Sequence, residues 1–305
     1  MPLFGCGPWE ISTIDDLRVH TEARPSLQFD AHGTPCVVYH QHDRVFDQFD
    51  IVYAYYVGSG GDCGEGDANG KWECDDDLAA ASAYDIVDTS LALTGDDHPI
   101  VAYLNHGDNG DTLELCHIHI GHLWDCQTID DISNKSAHVS LALDQNDHAH
   151  IAYSSSGTGG LLKLRYAHYV GSGGNCGTNG DYRCDTIVDD IGHDDGLLAL
   201  TLDESDRPVI AYDSAGITIA RPLAAYNTML GLGNCGPRMG VFRTWKCMGI
   251  DSVGADYSVG RDTLAIDADR NGLLAVAYSV SDGGTHSLVK VTRQYYAAYL
   301  PLIMR

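Results

Sequence analysis

SLALDQNDHAHIAY, Ser140 to Tyr153, decides the fold. An alternation of apolar and small residues runs into a polar Asp-Gln-Asn-Asp turn, then into a second apolar stretch ending in tyrosine. That is the pattern of strand, tight turn, strand. It recurs as SLQFDAHGTPCVVY (Ser26 to Tyr39), SLALTGDDHPIVAY (Ser90 to Tyr103), ALTLDESDRPVIAY (Ala199 to Tyr212) and TLAIDADRNGLLAVAY (Thr263 to Tyr278). The matching turn residues Asp30, Thr94, Asp144, Asp203 and Asp267 lie 64, 50, 59 and 64 residues apart. Self-similarity on this scale marks a repeat architecture.

A third strand follows each pair: Asp50–Gly58, Thr112–Gly121, Leu161–Gly171, Gly216–Ala224 and His286–Tyr295. A fourth opens with an aromatic residue in WECDDDL (Trp72), WDCQTID (Trp124), YRCDTIV (Tyr182) and WKCMGID (Trp245), and again in WEISTID (Trp9) near the start of the chain. Four short strands repeated five times predict an all-β, five-bladed β-propeller of four-stranded antiparallel blades. The Gly-rich linkers leave no room for the crossover helices of a parallel sheet.

One domain then spans residues 1–305, with blades at 26–78, 90–130, 140–188, 199–251 and 263–295. The chain opens on a fourth strand and closes after a third. Residues 9–15 are therefore expected to complete the last blade and close the ring, removing two open sheet edges.

The chain has 43 acidic and 18 basic residues, a formal net charge of -25, and 44% hydrophobic residues. Such a surface repels nucleic acid and anionic membrane, and the apolar content supports a packed core. No apolar run reaches membrane-spanning length.

The ten cysteines follow the blades. The linkers between third and fourth strands predict the pairs Cys63–Cys74, Cys176–Cys184 and Cys235–Cys247. A hairpin centred near Gly121 sets Cys116 opposite Cys126. Cys6 and Cys36 remain, either as a fifth bridge or as two free thiols. Disulfides on this scale point to an oxidising compartment, and so to a secreted or cell-surface protein.

SLALDQNDHAHIAY, with LKLRYAHYVGSGGNCG and the aromatic-x-Cys strand behind it, resembles a repeat of secreted bacterial proteins of the SLALD/PHIAYYD type. The resemblance implies a propeller. It supplies no catalytic residue, since most such proteins have no assigned function.

Ligand chemistry is expected in the loops leading into the innermost strands. These carry Asp15, Asp16, His20, Asp130, Asp131, His138, Asp189, Asp190, His193 and Asp251, with Asp75 to Asp77. The loops between the two middle strands add His40, His42, Asp43, His106, Asp108 and Asp213. Asp and His around a central depression suit hydroxyl-rich ligands or calcium. On the opposite face, Asp267, Asp269 and Asn271 form D-x-D-x-N-G, the first half of a calcium loop without its terminal Glu. An Asx turn is the competing reading.

The function expected from these features is a non-enzymatic extracellular binding module for carbohydrate or another surface ligand. A glycoside hydrolase or polysaccharide lyase using cleft carboxylates is the alternative. A structural subunit that self-assembles into a surface layer is the third reading.

Overall fold

The computed structural model describes residues 11–14, 24–43, 48–64, 70–78, 85–107, 110–118, 123–132, 138–156, 161–192, 196–214, 216–252, 258–269, 271–281 and 287–294. Five antiparallel sheets form a five-bladed β-propeller. Blade 1 is β1 (Ser26–Phe29), β2 (Pro35–Asp43), β3 (Gln48–Gly61) and β4 (Gly70–Leu78). Blade 2 is β5 (Asp85–Leu93), β6 (Pro99–Gly107), β7 (Gly110–Ile118) and β8 (Trp124–Ile132). Blade 3 is β9 (Val139–Leu143), β10 (Ala149–Ser156), β11 (Leu162–Tyr169) and β12 (Tyr182–Val188).

Blade 4 holds β13 (Leu198–Leu202), β14 (Pro208–Asp213) and β15 (Ile217–Pro222). After a short helix α1 (Ala225–Met229) it adds β16 (Cys235–Met239) and β17 (Phe242–Asp251). The described strands of blade 5 are β18 (Ser258–Ala268), β19 (Leu274–Ser281) and β20 (Ser287–Arg293). Two details differ from the sequence expectation. Blade 4 has a fifth strand, because its long linker folds back as a hairpin with Cys235 opposite Trp245. Residues 11–14 are described outside any strand, and Trp9 lies outside the described residues.

The quoted motif is the hairpin of each blade's first two strands. In all five, the first turn residue donates its N–H to the carbonyl four residues on, as from Asp144 to His148 (3.0 Å) and from Asp269 to Leu273 (2.9 Å). The fourth turn position is left-handed: Gly33, Asp97, Asp147, Asp206 and Gly272 have φ of 81°, 63°, 61°, 56° and 71°. Gly adopts this freely and Asp tolerates it better than most residues. The fifth copy is therefore phased on Asp269, two residues beyond the Asp267 that the sequence alignment matched.

The cores lie between blades. Leu115 and Ile129 of blade 2 pack with Ile151, Ala167 and Tyr182 of blade 3; Leu164 and Tyr166 of blade 3 pack with Ile210 and Trp245 of blade 4. Alternate residues of one strand serve opposite interfaces, as pleating requires. The innermost edges have no neighbouring strand to satisfy their N–H groups, and serines fill that role. Ser26 Oγ accepts from Leu91 N, Ser90 Oγ from Leu141 N and Ser140 Oγ from Leu200 N, each at 3.0 Å and each from the next blade.

All four predicted disulfides form: Cys63–Cys74, Cys116–Cys126, Cys176–Cys184 and Cys235–Cys247. Cys116 and Cys126 face each other in the β7–β8 ladder with Cα atoms 4.0 Å apart, against 5.9 Å in the other three. The residue before the first cysteine brackets the second. Asn175 Oδ1 accepts from Cys184 N (2.7 Å) while its Nδ2 donates to Cys184 O (2.9 Å), and Asn234 treats Cys247 in the same way. A Cβ on the preceding Gly174 would sit 1.8 Å from Tyr182 O, so the Gly-Asn-Cys order is sterically required. Cys36 is a buried free thiol, and Cys6, its partner in the expected fifth bridge, lies outside the described residues.

Candidate functional site

One expected residue, His138, meets Asp88 and Arg24 where the innermost strands begin. Two residues ahead of the ladder-matched Ser26, Ser90, Ser140, Ala199 and Ala265 stand Arg24, Asp88, His138, Leu197 and Thr263, one in each of blades 1 to 5. His138 Nδ1 lies 3.4 Å from Asp88 Oδ2 and 3.4 Å from Arg24 Nη1. His138 and Asp88 are buried, 6% and 7% exposed, and Arg24 is half-buried. The carboxylate is fixed by backbone donors: Asp88 Oδ1 accepts from Thr89 N (3.0 Å) and Oδ2 from Val139 N (2.9 Å). Ser154 Oγ accepts from His138 N (3.0 Å). The imidazole therefore stands on a rigid floor drawn from two blades, with a guanidinium from a third beside it.

The other candidate acids on this face are engaged by the scaffold. Asp130, at the end of β8, accepts from Tyr153 Oη at 2.5 Å and pairs with Arg165 of blade 3. The Arg165 guanidinium also lies 5.4 Å from the centre of the Tyr153 ring. Asp251, at the end of β17, accepts from Tyr278 Oη and from Lys290 Nζ, the latter at 2.8 Å. These are the same clamp at two interfaces, yet the carboxyls shift in opposite directions. Burial raises Asp130 and outweighs its hydrogen bond from Tyr153 and the charge of Arg165. Asp251 is more exposed, and Lys290, then Tyr278, hold it low.

Asp131 sits opposite Thr112 in the β7–β8 ladder. Beside it, Glu114 accepts from Thr128 Oγ1 (2.9 Å), and burial raises its carboxyl. Asp190 Oδ1 accepts from Gly192 N (2.9 Å), an Asx turn, and Asp189 precedes it on the exposed rim. His106 pairs with the buried Asp111 across the β6–β7 turn. Asp15, Asp16, His20 and His193 lie outside the described residues. The sequence reading missed Arg24, just before β1, and Asp88, inside β5, although both stand two residues ahead of a motif whose register was already known.

On the opposite face, Asp269 Oδ1 accepts from Asn271 N (2.8 Å) and Leu273 N (2.9 Å). Asp30, Asp144 and Asp203 do the same in their own turns. Asp267 Oδ1 accepts from Ala268 N (2.8 Å). Asp269 and Asn271 thus belong to one of the five hairpin turns, the Asx geometry set against the calcium loop above, and Asp267 is paired with Ala275 inside β18. Among the described residues, two groups bring three ligand-type atoms together: Asp30 with His32 and Asp97, and Asp62 with the bridged Cys63 and Cys74.

No protein-family model and no curated protein matches the chain. Solved structures similar to it include a thermostable family-43 glycoside hydrolase, at 11% identity over 94% of this chain and 91% of that one, with a TM-score of 0.48. The GH43_1 enzyme from Xanthomonas citri is similar at 12% identity over 94% and 91% of the two chains, TM-score 0.42. An Aleuria aurantia lectin in complex with Fucα1-6GlcNAc is similar at 11% identity over 90% and 79%, TM-score 0.44. No functional residue is transferred from any of them.

Proposed function

We propose that this propeller is an extracellular binding module for a hydroxyl-rich ligand of the carbohydrate class, held at the axial mouth beside Arg24 and His138. The observation that carries this reading is the division of labour among the polar groups. Asp130 and Asp251 clamp neighbouring blades, and Asp88 is fixed by two backbone amides and His138. A few directional donors on a rigid floor suit recognition, where convergent polar groups set orientation. Acid–base hydrolysis of a glycoside uses two carboxyls flanking the bond, and these acids are turned to structural partners instead. The four disulfides support an oxidising, extracellular location. No described helix is long and apolar enough to cross a membrane.

The test is a glycan array run beside a reducing-sugar assay on a panel of polysaccharides. Binding weakened at least tenfold by Arg24→Ala, without sugar release, is the expected result. Sugar release abolished by substituting a single axial-face carboxylate would move the protein to the hydrolases.

A further inference from the structure

We propose that the groove between blades 4 and 5 is the seat of the chain's own N-terminal segment, with Trp9 as the anchor. Three other interfaces show what belongs there. The first aromatic of each following blade's outer strand packs on the third strand of the blade before it. Trp124 lies edge-on to Tyr53 at 6.0 Å, and Trp245 edge-on to Tyr166 at 5.3 Å. Tyr182 shares a buried cluster with Leu115 and Ile129. The ladders set Tyr53, Leu115, Tyr166 and Ile219 at one equivalent position, opposite Val38, Ala102, Ala152 and Ala211. Ile219 meets no such aromatic among the described residues. It lines a cleft of about 380 Å³ together with Met248, Ile250, Leu274 and Val276.

The chain just after this segment already stands in the right place. Aligning WEISTID on WDCQTID puts Thr13 and Ile14 on Thr128 and Ile129. At the interface of blades 2 and 3, Gly177 N donates to Ile129 O (2.8 Å), and Gly177 follows the first cysteine of its linker. Gly64 follows the first cysteine of the blade 1 linker, and a Cβ on it would lie 3.1 Å from Thr13 O. Ile14 packs against the blade 1 cluster of Val37, Tyr39 and Trp72, and Trp72 Nε1 donates to Ser12 Oγ at 3.0 Å. Residues 13–14 therefore pass the first-cysteine loop of blade 1 as Thr128 and Ile129 pass that of blade 3, one residue out of register. Trp9 is three residues upstream of Ser12, roughly 10 Å of extended chain. Trp9 then fills the cleft over Ile219, on the side of blade 5 where β20 is the outermost described strand.

The experiment is a double-mutant cycle in the full-length protein with Trp9→Ala and Ile219→Ala, read by thermal midpoint. Trp9→Ala is expected to lower the midpoint by roughly 5 to 10 °C, and the double variant to fall little below it. Additive effects, or no effect of Trp9→Ala, would overturn the proposal. Acrylamide quenching of the wild type against Trp9→Phe gives a readout independent of folding yield: a shielded Trp9 supports the seat, and a freely quenched one refutes it. A concentration-dependent dimer lost on Met248→Asp assigns the groove to a second copy instead. A midpoint that falls on deleting residues 296–305 but not on Trp9→Ala assigns it to the C-terminal tail.

Discussion

The serine that opens the repeated motif holds blades together through a single hydroxyl. Ser90 and Ser140 accept from buried N–H groups of Leu141 and Leu200 that no strand ladder satisfies. Replacing either by alanine removes the bond and strands a donor, a cost of about 1 to 3 kcal/mol. Ser140→Ala should lower the unfolding free energy by that amount in urea titration. A loss below about 0.5 kcal/mol would mean that water satisfies the amide. His150 gives a pH-dependent counterpart. It is held on β10 among His168, Tyr166, His148, Asp144 and Asp206, with Nδ1 2.5 Å from Tyr166 Oη. Burial, then the neighbouring His168, depresses its pKa to about 4 from 6.5. The unfolded chain therefore binds a proton between pH 6.5 and about 4 that the folded protein refuses. Stability is full above this window and falls with pH through it, by up to about 1.4 kcal/mol per pH unit from this group. His150→Gln should flatten that part of the stability profile, and an unchanged slope would exclude His150 as its source.

At the scale of strands and turns, sequence and structure agree where a local pattern has one physical solution. The alternation of SLALD, the turn and the terminal Tyr fixed each hairpin's residues, and the paired cysteines followed the blades. The fifth copy slipped by two residues, because Asp267 and Asp269 both satisfy a turn pattern and only the ladder separates them. The roles of Asp130 and Asp251 were not legible. Each is decided by a tyrosine and a cation on the next blade, far from it in sequence. Asp88 was overlooked for the opposite reason: it lies inside β5, where the motif had been read only from Ser90. The cysteine-bracketing loops yield a prediction at this scale. Replacing Cys176 and Cys184 together with alanine opens a short loop, worth about 2.5 kcal/mol in the chain-entropy picture. Asn175 and Gly174 keep the local backbone, so the fold should survive with a lowered midpoint. Under native conditions the buried Cys36 should remain unreactive toward thiol reagents, since burial also raises its pKa.

The whole ring is uneven, and the unevenness is physical. Serine clips join blades 1 to 2, 2 to 3 and 3 to 4, but Ala199 occupies the equivalent position in blade 4, so that clip is absent toward blade 5. The inner-strand leucines tell the same story: Leu91, Leu141 and Leu200 are 1%, 6% and 7% exposed, but Leu27 of blade 1 is 51% exposed. On blade 5, Val291 occupies the position of the buried Tyr166 and is 68% exposed. The weak sector is thus blade 5 and its junction with blade 1, and blades 2 and 3 form the firm one. Native-state hydrogen exchange should resolve this as sub-global opening. Amides of β6, β10 and β11 should exchange only with global unfolding. Those of β19 and β20 should exchange through an opening of lower free energy. Ser140→Ala should accelerate exchange in β13 while leaving β19 and β20 unchanged. Equal protection across all five blades would show that the ring unfolds as one unit, with the seam no weaker than the rest.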